Sequence, residues 1–528
     1  MNRLLLILVV AGVAWTTSCS GGSSVNPPPP PATGFSNASL KGSYVFSMTG
    51  TTLDNTFGTS SFSRVGVFIA DGGGGILATG GVQDVQMFGG HNNFNITGGS
   101  YVVNSDGRGT LSLTDSIGTV QYSIALISST GGYLVDMITG ETETASGSFS
   151  LQSATAMATG TYAFDFSGIV PDNSGDAVSI VGDLIPTAVG SGTFATNSFW
   201  DVNTAGVPSG KTPISGGSYA SDGSGTGRGI ANIGGLDFVY YVIDNQHVEF
   251  MGIDADASAP GTILGAATAQ LAGTPNDVSA FNSSSFVFVI GGSNVSDGGP
   301  HTRAARLTAT GGALSAILLD DNNEGSVTSV PATGVLNTGT VTLDGDGSGR
   351  GTFTFTQNAS NTFTFIFYLS SATTGVIQDV SSVTSGGLTT TIEIADGTLL
   401  AQTGAPFSSS SLATNYAFNW SGVSTSQEDF VGQFAPATAS PNGQVDFNEF
   451  GQGTQFVNNP FNGVITFGAD GGTGSMGNHN TFVAGISGTP STTINYWAYV
   501  ANPSTILVMG TQNGGKRLIA GVLTAQTP

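Results

Sequence analysis

The residues best placed to do chemistry are three arginines. Arg108, Arg228 and Arg350, three of the eight arginines in the chain, each stand in a Gly-Arg-Gly step, 120 and 122 residues apart. Each follows a turn rich in Asp and Gly: Asp106-Gly107, then Asp222 to Gly227, then Asp344 to Gly349. A guanidinium in such a place can meet an acidic ligand or a glycan. It can equally tie back to a carboxylate of its own turn (Asp106, Asp222, Asp346) or to backbone carbonyls. Its recurrence in every repeat but the last favours the structural part. In the fourth copy Asp470 keeps the turn and Thr473 takes the place of arginine.

Asp344 and Asp346 form a second candidate. Calcium loops place oxygen ligands at alternate positions, as Asp344-Gly345-Asp346-Gly347-Ser348-Gly349 does, but they also need a bidentate acid further on. Here Gly351-Thr352-Phe353 follows instead. Asp320 to Glu324, and Asp254 with Asp256, are further oxygen-rich clusters, yet Asp, Asn and Gly are also the ordinary residues of turns. The expectation is that no metal is bound. His91, His247, His301 and His479 are scattered without metal-ligand spacing, no serine sits in a G-x-S-x-G elbow, and the glycine runs lack the Lys-Ser/Thr of a phosphate cradle. No cofactor is implied, and a catalytic role is not expected. A carboxylate pair assembled in space stays open, because sequence spacing does not reveal it. Trp200, Trp420 and Trp497, with 32 Phe, could line a cavity or a sugar platform, but alternating aromatics in strands are ordinarily core.

What must position these groups is a repeated hairpin. GGSYVVNSDGRGTLSL (98–113) puts two strand-forming runs around a glycine-rich turn, and the design returns at 216–233, 338–355 and, degraded, 462–477. Each repeat opens with an aromatic alternating strand: SYVFSMTG, TYAFDFSG, SFVFVIGG and NYAFNWSG. Aromatics at i and i+2 share a strand face, so Tyr44 and Phe46 point the same way, into a core. Each repeat closes on a glutamine, Gln152, Gln270, Gln402 or Gln526. Start, hairpin and end recurring in register define four copies of one unit. The expected domains are 39–152, 158–270, 281–402 and 413–526, with small-residue linkers between them. Unit one reads as about eight strands on loops too short for parallel crossovers. The fold class is therefore all-β: four tandem antiparallel β-meander units. Strand count favours a small barrel per unit, resembling the lipocalin and avidin type, over a two-sheet sandwich.

Charged residues are only 9% of the chain, while 39% is hydrophobic, which argues against disorder. The formal charge of -23 repels nucleic acid, and no basic patch offsets it. Met1-Asn2-Arg3 followed by twelve apolar residues (4–15) reads as a secretory signal, residues 1–18, too short to span a bilayer. Cys19, the only cysteine, stands just behind it, and Pro27 to Pro31 is a semi-rigid spacer. This leader resembles a bacterial lipoprotein signal. The resemblance implies lipid on the Cys19 sulfur and a tether over 19–38, although Thr16 stands where that family usually has Leu. The Y-x-F openings and D-G-x-G turns resemble glycine-rich, repeat-bearing exported proteins of acidobacterial type, a resemblance that implies no chemistry.

Taken together, these features point to a non-enzymatic lipoprotein displayed at the bacterial envelope or outer membrane surface, acting as an interaction, adhesion or structural element. Its partners would be the membrane, through the anchor, and an extracellular protein or glycan. A barrel binding a small ligand or glycan is the alternative, which would need a recurring internal cavity. A secreted hydrolase is the third reading, which would show acids or a Ser-His pair clustered in one unit only.

Overall fold

The computed structural model describes residues 34–528 apart from 55–57, 88–89, 139–141, 171–175, 255–260, 297, 332–333, 359–360, 386–387, 392, 424–425, 437–439, 452–454, 468–479, 488–491 and 512–517. Among the described residues the only helices are three single 3-10 turns, Asn37–Ser39, Val278–Ala280 and Ser409–Ser411. Everything else that is regular is strand, as a chain with little charge and abundant Thr, Val and Phe dictates. No described helix is long and apolar enough to cross a membrane.

The strands fall into four antiparallel sheets in chain order: Lys41 to Leu151, Tyr162 to Ala269, Ser284 to Ala401 and Tyr416 to Ala525. In each, the aromatic opening strand pairs with the strand that ends at the closing glutamine. Tyr44 faces Leu151, Tyr162 faces Ala269, Phe286 faces Ala401 and Tyr416 faces Ala525. The fourth unit is a closed eight-stranded barrel. In the first and third, an additional pairing (Lys41–Asp54 with Gly58–Asp71; Arg350–Asn358 with Asn361–Leu369) brings the sheet back upon itself. The second sheet is curled but not joined by ladder pairing between Phe199–Thr204 and Ser218–Ser221. Single sheets that curl round their own core, closed by strand pairing in units 1, 3 and 4 and open in unit 2, are thus the architecture rather than two-sheet sandwiches.

The opening strand sets the inside of each barrel. Tyr44, Phe46 and Met48 belong to one fully buried cluster with Phe68 and Phe149, and Tyr416, Phe418 and Trp420 to another with Phe434 and Phe461. All four interiors are filled this way. Six residues after each opening aromatic stands a glycine: Gly50, Gly168, Gly292 or Gly422. A Cβ there would lie 2.0, 1.8, 1.9 or 1.8 Å from a carbonyl oxygen of the closing strand. The sheet closes so tightly at this point that no side chain fits, which accounts for the recurring G of SMTG, DFSG, VIGG and NWSG.

The outward face of the same strand does different work. Val45, Val65 and Val82 of unit 1 pack with Val239, Ile243 and Met251 of unit 2. Ala163 and Val181 of unit 2 pack with Ile366 and Tyr368 of unit 3, and Val287 and Ala304 of unit 3 with Trp497 and Met509 of unit 4. Ala417 and Val431 of unit 4 pack with Ala125, Val135 and Met137 of unit 1. The four barrels therefore close into a ring, with the last on the first. The stretches expected to be linkers are fastened down: Ser153 N, Leu271 N and Thr403 N donate to Ile243 O, Ser370 O and Ala501 O of the following unit. Thr527 N completes the circle by donating to Ile127 O at 2.8 Å.

Candidate functional site

Three side chains of each unit build the joints of this ring, and two of them come from a strand whose recurring Asp and amide the repeat landmarks do not include. The third strand of every unit carries an Asp followed two residues later by Asn or Gln: Asp84 and Gln86, Asp201 and Asn203, Asp320 and Asn322, Asp446 and Asn448. These aspartates are buried at equivalent register, opposite Val65, Val181, Ala304 and Val431 of the preceding strand. Each faces the next unit around the ring.

Here the turn arginines find their purpose. Arg228 keeps its own Asp222 at 3.3 Å but gives its main bonds to Asp84 of unit 1, at 2.7 and 2.8 Å, where Tyr241 also donates. Arg350 likewise grips Asp201 of unit 2 with two 2.7 Å bonds, joined by the Tyr368 hydroxyl at 2.7 Å. Such paired, charge-assisted bonds fix orientation as well as adding energy. Arg108 binds Asp106 Oδ2 at 3.1 Å and reaches across to Asn458 at 3.0 Å and Asp446 at 3.5 Å of unit 4. At the remaining joint Asp320 accepts from the Tyr499 hydroxyl of unit 4. The amides add a second set of ties. Asn203 donates to the carbonyls of Asp379 and Glu393, Asn322 to Gly510, Asn448 to Asp136 and Glu143, and Gln86 to Asp254.

The closing glutamines form the third set. Gln152 donates to Thr226 O and Val242 O, Gln270 to Ser348 O and Leu369 O, Gln402 to Val500 O, and Gln526 to Asp106 O and Leu126 O of the first unit. Burial alone would raise the Asp84 carboxyl, but the bonds from Arg228, His91 and Tyr241 outweigh it and hold the pKa at about 2. The arginines are thus occupied between units.

Other sequence candidates are placed as follows. Lys211 of unit 2 bonds both Asp344, at 2.8 Å, and Asp346, so an ammonium sits with that acid pair. The run from Asp320 does not converge: Asp320 and Asn322 serve the joint with unit 4, while Asp321 turns to His301 and Arg303. Trp420 lies in the fourth barrel's interior, Trp497 in the joint between units 3 and 4, and Trp200 is half-buried in unit 2. They form no common platform. His91 meets Asp84 at 2.7 Å and His247 meets Asp244 at 3.0 Å. Cys19, Asp256, Asp470, Thr473 and His479 lie outside the described residues.

One cluster is peculiar to unit 3. His301, fully buried, has Nε2 2.6 Å from Asp321 Oδ1 and Nδ1 2.9 Å from Glu393 Oε2. Arg303 donates to Asp321 at 2.8 Å, to Glu393 Oε1 at 3.2 Å and to the buried Asp379. Burial would lower the His301 pKa, but the two carboxylates outweigh it and raise it, while burial keeps Glu393 above its usual range. Unit 1 carries a related trio, Arg64, Glu143 and Asp136, but with Phe62 and Val85 where unit 3 has His301 and Asp321. A cleft of about 300 Å³ reaches the cluster, with Arg303, Asp321, Ser329, Gln357 and Phe363 in its wall. No spacing in the sequence could have announced it, since its members lie on strands that meet only in the folded barrel.

No protein-family model matches the chain, and no curated protein matches it. Among solved structures it is similar to kievitone hydratase from Nectria haematococca, at 9% identity over 48% of this chain and 92% of that one, with a TM-score of 0.22. It is also similar to a transferrin binding protein B double mutant from Haemophilus parasuis, at 8% identity over 75% and 83%, TM-score 0.19. The isotype 1 transferrin binding protein B of Neisseria meningitidis gives 8% identity over 75% and 84%, TM-score 0.19. Scores this low establish no shared fold, and the all-β barrel class of this chain stands on its own strand pairings.

Proposed function

We propose that this protein is a non-enzymatic lipoprotein displayed at the bacterial envelope, whose ring of four barrels serves as a rigid platform for an extracellular protein or glycan. One observation carries the reading: the landmarks that recur in the chain are spent on building the ring. The aromatic openers fill the barrels, and the turn arginines and closing glutamines fasten one unit to the next. What is left for a partner is the outer surface, and a ring braced by charge-assisted bonds presents that surface in fixed geometry. The filled interiors count against a small ligand held inside each barrel. Lipid at Cys19 and the proline run would hold the ring off the membrane, since five prolines in extended form add about 15 Å of semi-rigid spacer.

The experiment is metabolic labelling with radioactive palmitate in the cell of origin, comparing the natural protein with Cys19→Ala. Label is expected on the natural protein, with the variant unlabelled and released from the membrane fraction. Equal labelling of both would remove the anchor, and with it the placement at the envelope.

A further inference from the structure

Units 1, 2 and 4 show what stands at the same places in the other barrels. At the register of His301 the other three units carry Phe62, Val178 and Glu428. At the register of Asp321 they carry Val85, Val202 and Phe447. Only unit 3 has an imidazole and a carboxylate together at these two places. Placing an imidazole and a carboxylate in a barrel interior is costly unless their charges are compensated.

The compensation within the protein is incomplete. Arg303 engages Glu393 through Oε1. Glu393 Oε2 and His301 Nδ1 lie 2.9 Å apart as an ion-pair contact, and neither atom has a further hydrogen-bond partner, although both side chains are buried. Counting Arg303 against Asp321, Asp379 and Glu393, the cluster carries two uncancelled negative charges when the imidazole is neutral. His301, Asp321 and Glu393 each present a donor atom within 4.8 Å of the others. The cleft beside Asp321 gives a path for a hydrated ion.

We propose that unit 3 binds one divalent metal ion of the zinc class through His301, Asp321 and Glu393. One imidazole nitrogen with carboxylate oxygens is a borderline donor set, which suits zinc better than calcium or magnesium. One ion takes one imidazole nitrogen, and Asp321 meets Nε2 while Glu393 meets Nδ1, so zinc–ligand distances of about 2.1 Å require one of the two carboxylates to turn toward the other's nitrogen, a movement that side-chain torsions can supply. Two charges on the ion cancel the two left over. Arg303, bonded to Asp321 Oδ1 and to Glu393 Oε1, holds the carboxylates in place in the manner of groups that orient metal ligands from behind.

The test is zinc retained per chain, measured by mass spectrometry after chelator treatment, zinc loading and removal of unbound ion. The natural protein is expected to retain one zinc. His301→Ala and Glu393→Gln are expected to bind it at least roughly 10- to 100-fold more weakly. His247→Ala, at an exposed Asp–His pair, should retain zinc unchanged. Should the cluster variants fail to fold, cobalt(II) loading of the natural protein gives a second reading. Visible d–d bands that zinc displaces support the site, and their absence overturns it. No retained zinc in the natural protein, or equal retention in folded His301→Ala, would likewise overturn it.

Discussion

Replacing Asp201 by alanine is expected to destabilise the protein by about 3–5 kcal/mol, the range found when one partner of a buried ion pair is removed. Asp201 is buried and accepts two bonds from Arg350 and one from Tyr368 of the next unit. Without it a guanidinium and a phenol are left in a joint sealed by Ala163, Val181 and Ile366. Asp222→Ala removes a rim partner of Arg228, at 3.3 Å, and leaves the Asp84 bonds in place, so its cost should stay below about 1 kcal/mol. Denaturant unfolding followed by intrinsic fluorescence compares the two. If Asp201→Ala costs no more than Asp222→Ala, the third-strand aspartate is not a fastening between units.

The second large effect is on pH dependence. Burial raises the Asp183 carboxyl to about 7 and the Asp429 carboxyl to about 6, and each leaves one oxygen without a hydrogen bond. Asp136 and Asp396 are also pushed well above the carboxylate range by burial. A raised pKa means that the folded state holds its proton more tightly than the unfolded chain, whose Asp titrates near about 3.9. That contribution is full below the unfolded value and is lost as pH rises through the folded one. Between about pH 5 and about pH 8, Asp183 and Asp429 together should cost roughly 4 kcal/mol of stability. The depressed carboxyl of Asp84 works in the opposite direction, but only near its own value of about 2. Thermal melts across this range should show greater stability on the acid side, and the double variant Asp183→Asn/Asp429→Asn should lessen the slope, leaving the share of Asp165 and Glu249, which burial also raises to about 7. A protein equally stable at both ends, or more stable at the alkaline end, contradicts this reading of the buried acids.

The sequence announced the units and left the ring unseen. Periodicity of two made Tyr44 and Phe46 core, so local pattern sufficed there. Arg108, Arg228 and Arg350 stand out by their spacing, and Asp106 and Asp222 are the expected own-turn partners of the first two, whereas Arg350 meets Asp344 in place of the expected Asp346, which is taken by Lys211 and Ser348. Their distant partners belong to another unit, and nothing local in a strand says which barrel it will meet. A signal did exist: Asp84, Asp201, Asp320 and Asp446 recur 117, 119 and 126 residues apart, each with Asn or Gln two places on. It is fainter than a glycine-rich turn because Asp is common. His301 and the run from Asp320 are each visible in the sequence, but their meeting with Glu393 is not, since the other units carry Phe62, Val178 and Glu428 at the place of His301 and no repeat marks it.

The claim on which all of this rests is that four barrels close into a ring, the fourth upon the first. Small-angle X-ray scattering of the chain from residue 34 tests it most directly. A closed ring should give a radius of gyration near the compact value for its length, about 23 Å. Four barrels strung in a row would give roughly 30 Å or more, with a long tail in the distance distribution, and that result would contradict the ring.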